Sequence, residues 1–319
     1  MRLDARTLFV AGLLAAVLGA VAYAAFERDL NAHRQRLAAD SHLIATACGP
    51  IEYAARGSGP AALVVHGAGG GFDQALGAAA ELARYGMRVI APSRFGYLRT
   101  PLPADATVAQ QADAHACLLQ ALGIERALVI GASAGAASAV QFALRHPQRT
   151  EALVLLVPAL YHPQQRPPWS PLAQRALTVL LTSDFAYWAA LRLAPKSALR
   201  RLLATPAAVW QRVAEDERAR ALALLENALP VSARAAGLRF DAAYLARPPR
   251  EPLENIAVPT LVIGVRDDGF GLFAAAEYTA AQIPGARLLA LPDGGHVWLG
   301  HQQRLLQEIV ALRRQLAAR

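Results

Sequence analysis

Apolar positions along this chain fall into three regimes. From Leu8 to Phe26 there are 19 consecutive residues without a charge, preceded by Arg2 and Arg6 and followed by Glu27-Arg28-Asp29. At about 1.5 Å per residue a helix of that length covers roughly 28 Å, close to the hydrocarbon thickness of a bilayer and longer than the apolar stretch of most cleaved signals. Residues 1–26 are therefore expected to be a membrane anchor. A cleaved signal is the alternative, because Ala22-Tyr23-Ala24 fits a small-x-small cleavage site, and a buried N-terminal helix is the third reading. The arginines ahead of the run put the N-terminus in the cytoplasm. The rest of the chain then lies on the periplasmic side of an inner membrane, or free in the periplasm after cleavage.

Residues 27–47 are polar and helix-prone with few large apolar side chains, which predicts a linker. From about Cys48 the pattern changes to short apolar runs alternating with longer amphipathic segments. The runs are Ala62-Leu63-Val64-Val65, Arg88-Val89-Ile90, Leu128-Val129-Ile130 and Leu153 to Val157; the helical segments are Gln74 to Tyr85, Thr107 to Leu122 and Ala136 to Arg145. Strand and helix in alternation predict a doubly wound, mostly parallel sheet. The alternation stops between Pro158 and Pro252, where repeated prolines separate short helical patterns. It resumes with a strand at 260–264, a helix at 273–282, a strand at 286–291 and a helix at 302–316. The expected organisation is thus an α/β core over residues 48–158 and 252–319, with a helical cap over 159–251 inserted before the last two strands.

Composition sharpens this only in places. The 319 residues are 55% hydrophobic, enough to fill the core of a large α/β domain. Net charge is +8, and 13 basic against 6 acidic side chains between Ala159 and Arg250 put +7 of it on the cap segment. No Lys/Arg run interleaved with aromatics and no zinc-binding or RNA-recognition pattern is present, so no nucleic-acid partner is expected. A basic cap beside an anchor could face anionic headgroups, a solvated arginine surface accounts for it equally well, and a preference for anionic substrates is the third reading. The two cysteines, Cys48 and Cys117, either pair or leave a buried thiol, since Cys117 falls in a helical pattern. Metal-binding clusters are absent from the sequence and no cofactor is expected.

Chemistry concentrates at Gly131-Ala132-Ser133-Ala134-Gly135, which follows an apolar run and precedes a helix. A G-x-S-x-G at a strand-to-helix junction is a turn so tight that small flanking residues are needed, and it lifts the serine hydroxyl into a cleft. Ser133 then needs an imidazole base. His296 follows the last strand in Leu291-Pro292-Asp293-Gly294-Gly295-His296, where two glycines permit a sharp turn over the strand ends; His301, further on, falls at the final helix and reads as a surface or capping residue. An orienting carboxylate is expected after the preceding strand, at Asp267-Asp268. Neighbours on a strand point to opposite faces, and spacing from Gly264 favours Asp267; a pair that merely caps the next helix is the alternative.

The order Ser133, Asp267, His296 differs from those of chymotrypsin and subtilisin and is similar to that of the α/β-hydrolase superfamily. From about Cys48 onward the chain resembles the lidded branch of that superfamily, which includes esterases, lactonases and meta-cleavage C–C hydrolases. His66-Gly67-Ala68-Gly69-Gly70-Gly71 resembles the family's H-G-x-G loop, and Pro92-Ser93-Arg94-Phe95-Gly96-Tyr97 its next loop. The resemblance implies an oxyanion hole from the backbone N–H groups of Ala68 and Ala134. Candidate substrate contacts are Gly67, Gly69, Phe95 and Trp188. The cap aromatics Trp169, Phe185, Tyr187, Trp188, Trp210, Phe240 and Tyr244 either line an apolar pocket or pack the cap onto the core. The glycines lack the Lys-Ser/Thr of a phosphate-binding loop. A serine at 133 argues against the relatives that use aspartate as nucleophile.

The resulting expectation is a serine hydrolase acting on a small-molecule carboxylic ester or related activated carbonyl. The alternatives are a meta-cleavage C–C hydrolase and a non-catalytic binding protein with the same fold.

Overall fold

The computed structural model describes residues 5–164, 179–193, 200 and 202–317. Its centre is a sheet of eight strands: β1 (His42–Thr46), β2 (Gly49–Arg56), β3 (Ala61–Val65), β4 (Arg88–Pro92), β5 (Ala127–Ala132), β6 (Thr150–Leu156), β7 (Thr260–Val265) and β8 (Arg287–Leu291). They lie in the order β1-β2-β4-β3-β5-β6-β7-β8, with β1 and β2 antiparallel and β3 to β8 parallel to one another. Each parallel step needs a crossover, and helices supply it: α2 (Phe72–Ala79), α3 (Val108–Ala121), α4 (Gly135–Arg145) and, later, α9 (Phe273–Gln282); α10 (Gln302–Ala317) follows the last strand.

The central strands are apolar throughout because both faces are covered. Val64, Leu128, Ile130, Val154 and Ile263 pack with α2 and α10 on one face; Leu63, Val65, Val129, Leu155 and Val262 pack with α3, α4 and α9 on the other. Successive residues alternate between the two clusters, as the period of two requires.

Two elements depart from the sequence expectation. Residues 27–47 are no linker: helix α1 runs unbroken from Ala5 to Ala39, and β1 follows it and pairs with β2 at the sheet edge. This edge hairpin is short and half-exposed, so its apolar pattern is weak. Its turn carries Cys48, which is bonded to Cys117 on α3 across 69 residues of chain, resolving the cysteine alternatives in favour of the pair.

The first part of α1 is long and apolar enough to cross a membrane, with a window of mean hydropathy 2.3 none of which is buried. A signal sequence meets the same description. Its second part is buried against the protein: Phe26, Leu30 and Leu37 are all under 8% exposed.

Between β6 and β7 lies the helical cap, with α5 (Asp184–Leu193), α6 (Ala207–Arg212), α7 (Glu215–Glu226) and α8 (Ala235–Ala246). Among the described residues it contains no strand.

Candidate active site

Ser133 sits in the two-residue turn between β5 and α4 with φ 50°, in the left-handed region that a non-glycine residue enters only at a cost of about 1–3 kcal/mol. Three hydrogen bonds hold it there. Its N–H donates to Leu156 O at 2.8 Å, and its carbonyl accepts from Ala136 and Ala159 at 3.0 and 3.1 Å. The flanking glycines are required by contact. A Cβ at Gly131 would lie 2.5 Å from Ala139 Cβ, and one at Gly135 would strike the backbone carbonyls of His66 and Val65.

His296 reaches this turn from the loop after β8. Its Nε2 lies 3.1 Å from Ser133 Oγ and its Nδ1 2.9 Å from Asp268 Oδ2. The carboxylate that meets the imidazole is therefore Asp268, in place of the expected Asp267. Strand parity does not extend that far, because β7 ends at Val265 and the chain turns at once, with Asp268 N–H donating to Val265 O at 3.2 Å. Asp267 instead accepts the Gly295 N–H at 2.8 Å and so braces the loop that carries His296. Asp268 is held by a 2.8 Å hydrogen bond from Phe270 N–H to Oδ1, and its side chain is only 1% exposed. The Phe270 ring meets the imidazole edge-on at 4.7 Å. His301 is directed elsewhere, pairing through Nε2 with Asp293 at 2.8 Å.

Ala68 lies beside Ser133 in the cavity wall, with Gly67 and Gly69. Among the described residues, neither the Ala68 nor the Ala134 backbone N–H is engaged in a hydrogen bond within the chain. The loop carrying Ala68 is clamped by side chains that sequence reasoning missed. Arg94 donates from Nε to His66 O at 3.0 Å and from Nη2 to Gly67 O at 3.2 Å, and the same guanidinium grips Asp241 of α8 through two bonds of 2.7 and 2.5 Å. Tyr97 donates to Asp241 Oδ2 at 2.5 Å and accepts from Gly69 N–H at 3.3 Å.

Burial opposes the charge on Arg94, but Asp241 and then Tyr97 outweigh it, and the guanidinium is held firmly protonated. His66 is locked as the Nδ1–H tautomer, since Nδ1 faces Gly67 O at 2.7 Å and Nε2 accepts the Arg94 N–H at 3.0 Å. Burial, reinforced by Arg94, pushes its pKa well below the ordinary histidine value. A second arginine, Arg234 of the cap, donates to Gly70 O at 2.7 Å and to both Asp73 oxygens at 3.0 and 2.9 Å. The sequence carries two signals of this clamp: the Pro92–Tyr97 motif that holds Arg94 and Tyr97, and Asp241, a lone carboxylate in the largely apolar segment 235–246.

Ser133 and His296 open into a cavity of about 780 Å³ whose walls are mostly apolar, including Leu160, Tyr187, Leu203, Leu225, Leu238 and Leu306. Of the cap aromatics, Tyr187 lines it. Trp188 does not: it packs against Phe26 of α1 and donates Nε1–H to Asp29 at 3.0 Å. Phe95 is also absent from the wall, being buried in the core beneath the sheet with its N–H on Gln111. Neither expected substrate contact faces the cavity, because Trp188 serves the docking of α1 and Phe95 fills the core. Trp210 is buried within the cap, and Trp169 lies outside the described residues. His162 and Gln164 supply polar groups at the wall that the sequence did not suggest.

A hydroxyl, an imidazole and a buried carboxylate joined in series can generate an alkoxide-like nucleophile. The chain belongs to the alpha/beta hydrolase fold family, which matches residues 60–299. The pimeloyl-[acyl-carrier protein] methyl ester esterase of Aromatoleum aromaticum is 31% identical over 264 residues, covering 79% of this chain and 98% of that protein. Uncharacterized proteins of Mycobacterium are 41% identical over 101 residues, a match spanning only 31% of this chain and 29% of theirs.

Among solved structures, an alpha/beta hydrolase fold protein from Nakamurella multipartita superposes with TM-score 0.68 at 28% identity, covering 85% of this chain and 98% of that one. A bacterial membrane phospholipase A superposes with TM-score 0.68 at 23% identity over 98% of this chain and 99% of its own, a likeness of fold alone.

Proposed function

We propose that this protein is a serine hydrolase of carboxylic esters with a sizeable apolar acyl group, tethered by α1 with its catalytic domain outside the cytoplasm. The observation that carries the reading is the hydrogen-bonded series Ser133 Oγ, His296 and Asp268 at an apolar cavity. Ser133 Oγ attacks the acyl carbon while its proton passes to His296 Nε2, and Asp268 holds the imidazole in the Nδ1–H tautomer and stabilises it when charged. The Ala68 and Ala134 N–H groups receive the oxyanion. Collapse breaks the ester C–O bond and the leaving alcohol takes the proton from His296. Water, deprotonated by the same imidazole, then attacks the acyl-enzyme; the acid leaves and Ser133 regains its proton.

The full-length relation to a methyl ester esterase supports an ester over a C–C bond as the scissile group. The Cys48–Cys117 disulfide supports an oxidising compartment. Retention of α1 as an anchor is favoured because the small-x-small sequence Ala22-Tyr23-Ala24 lies inside a continuous helix rather than in an extended segment.

Labelling by a fluorophosphonate, present in the wild type and lost in Ser133→Ala, tests the nucleophile. A panel of p-nitrophenyl esters of rising chain length, with a lactone and a ring-fission dienoate beside it, tests the substrate class; turnover of the dienoate alone would overturn the ester reading. Resistance of the protein to carbonate extraction from membranes tests the anchor.

A further inference from the structure

The cap carries a small apolar face that continues the exposed surface of α1. Outside α1, the large apolar side chains that stand exposed among the described residues are Leu43, Tyr85, Leu102, Val179, Phe185 and Leu193, so half of these fall between 179 and 193. Leu193 is 83% exposed, more than any of the large apolar side chains exposed on α1 itself. Phe185 lies where α1 stops being bare, and Leu193 follows Arg192, which pairs with Asp29 of α1. Phe26, the first well-buried residue of the helix, meets Phe185 at 5.3 Å and Trp188 at 5.7 Å, and Tyr23 stacks one turn earlier at 5.8 Å from Phe26.

A band of aromatic rings at the end of an apolar helix is what the boundary between hydrocarbon and headgroups selects, because the rings present an apolar body and tolerate a wet edge. Just past it, Arg28 and Arg192 flank Asp29 with their side chains 76% and 60% exposed, two cations free to reach lipid headgroups.

We propose that this face of the cap, with Phe185 and Leu193 at its centre, rests in the interfacial layer of the same bilayer that α1 crosses. The lipid surface is favoured over a second protein copy as the occupant because the patch adjoins α1 at Phe26 and two exposed arginines, Arg28 and Arg192, lie beside it. The consequence for substrate is access. Tyr187 and Leu181, on the inner side of the same segment, line the cavity above Ser133 and belong to the cluster that holds Phe26 and Leu30. An acyl ester leaving the bilayer beside α5 therefore meets the cavity wall after crossing one layer of side chains. The proposal rests on the anchor reading, and its test separates the two.

Full-length protein carrying Leu193→Trp is reconstituted in phosphatidylcholine–phosphatidylglycerol vesicles with bromine-labelled acyl chains. Tyr85→Trp serves as control, because Tyr85 lies ahead of β4, at the sheet end away from the cap. The tryptophan at 193 is expected to emit at shorter wavelength than the control and to be quenched by bromine near the glycerol level. Water-like, unquenched emission at 193 in protein that resists carbonate extraction overturns the docking and leaves the anchor intact; extraction of the protein by carbonate overturns the anchor reading as well.

In the second arm, Phe185→Ser with Leu193→Ser keeps turnover of a dissolved short-chain ester and loses about tenfold or more on an ester embedded in vesicles, as withdrawal of two apolar side chains from lipid predicts. Equal activity on both substrates, or loss accompanied by conversion of a cross-linked dimer to monomer, overturns the lipid assignment.

Discussion

Replacing Asp241 by Asn tests whether the cap governs the oxyanion loop. Asp241 and Arg94 are each about 4% exposed in their side chains and meet through two short bonds, so neither charge has water to fall back on. Removing one charge of a buried pair costs about 3–5 kcal/mol, and the amide retains an acceptor for Tyr97, which points to the lower end, about 3 kcal/mol. The same guanidinium holds the carbonyls of His66 and Gly67, immediately before Ala68. Loss of one oxyanion donor costs on the order of 10²–10³ in kcat, and because Arg234 still grips Gly70 the loop shifts without being lost, so a fall of about 10- to 100-fold is expected.

Urea unfolding gives the stability, and kcat and KM on p-nitrophenyl butyrate give the chemistry, with KM changed by less than about threefold. An Arg94→Met, Asp241→Leu double variant separates the two roles, since apolar replacement of a buried pair restores stability while leaving the loop unheld. If Asp241→Asn loses stability but keeps kcat within about twofold, the pair only holds the fold together and the coupling is refuted.

Other substitutions follow the same logic. Asp268→Asn is expected to lower kcat by about 10⁴ through the wrong imidazole tautomer, whereas Asp267→Asn costs far less; the reverse ranking would return the role to Asp267. His115 is driven by burial from an ordinary 6.5 to about 3, so the native state stays neutral where the unfolded chain takes up a proton. Stability from this group is intact above 6.5 and declines as pH falls, by about 2 kcal/mol at pH 5. Urea midpoints at pH 7 and 5 should differ less in His115→Gln than in the wild type. Cys117→Ser, or reduction, opens a loop of 69 residues and is expected to cost about 2–4 kcal/mol, read by thermal unfolding with and without dithiothreitol.

The parts of this molecule legible in its sequence are those governed by short-range rules. Strand β5 followed by Gly131-Ala132-Ser133-Ala134-Gly135 could be read because a buried parallel strand is apolar throughout and a tight turn needs small residues. The hairpin β1–β2 could not, since an edge strand with one wet face has little apolar signature. Asp267 was favoured over Asp268 because alternation was carried two residues past the point where the strand turns. Asp241 meets Arg94 across 147 residues of chain, and only the docking of the cap brings the two charges together. Trp188 and Phe95 show the converse: an aromatic near a site in sequence is free to serve the packing of another element altogether.

Helix α1 has no break between its bare apolar part and the turns that Phe26 and Leu30 fasten to the cap. Its two ends are therefore in rotational phase, as a flexible tether would not be. Each residue added or removed between Tyr23 and Phe26 would swing the catalytic domain by about 100° around the helix axis and move it by about 1.5 Å along it. Length changes near this point should be tolerated in steps of about a full heptad, which nearly restores the phase, and resisted in between. Under the proposed anchoring, the helix fixes which way the cavity faces as well as where the protein sits.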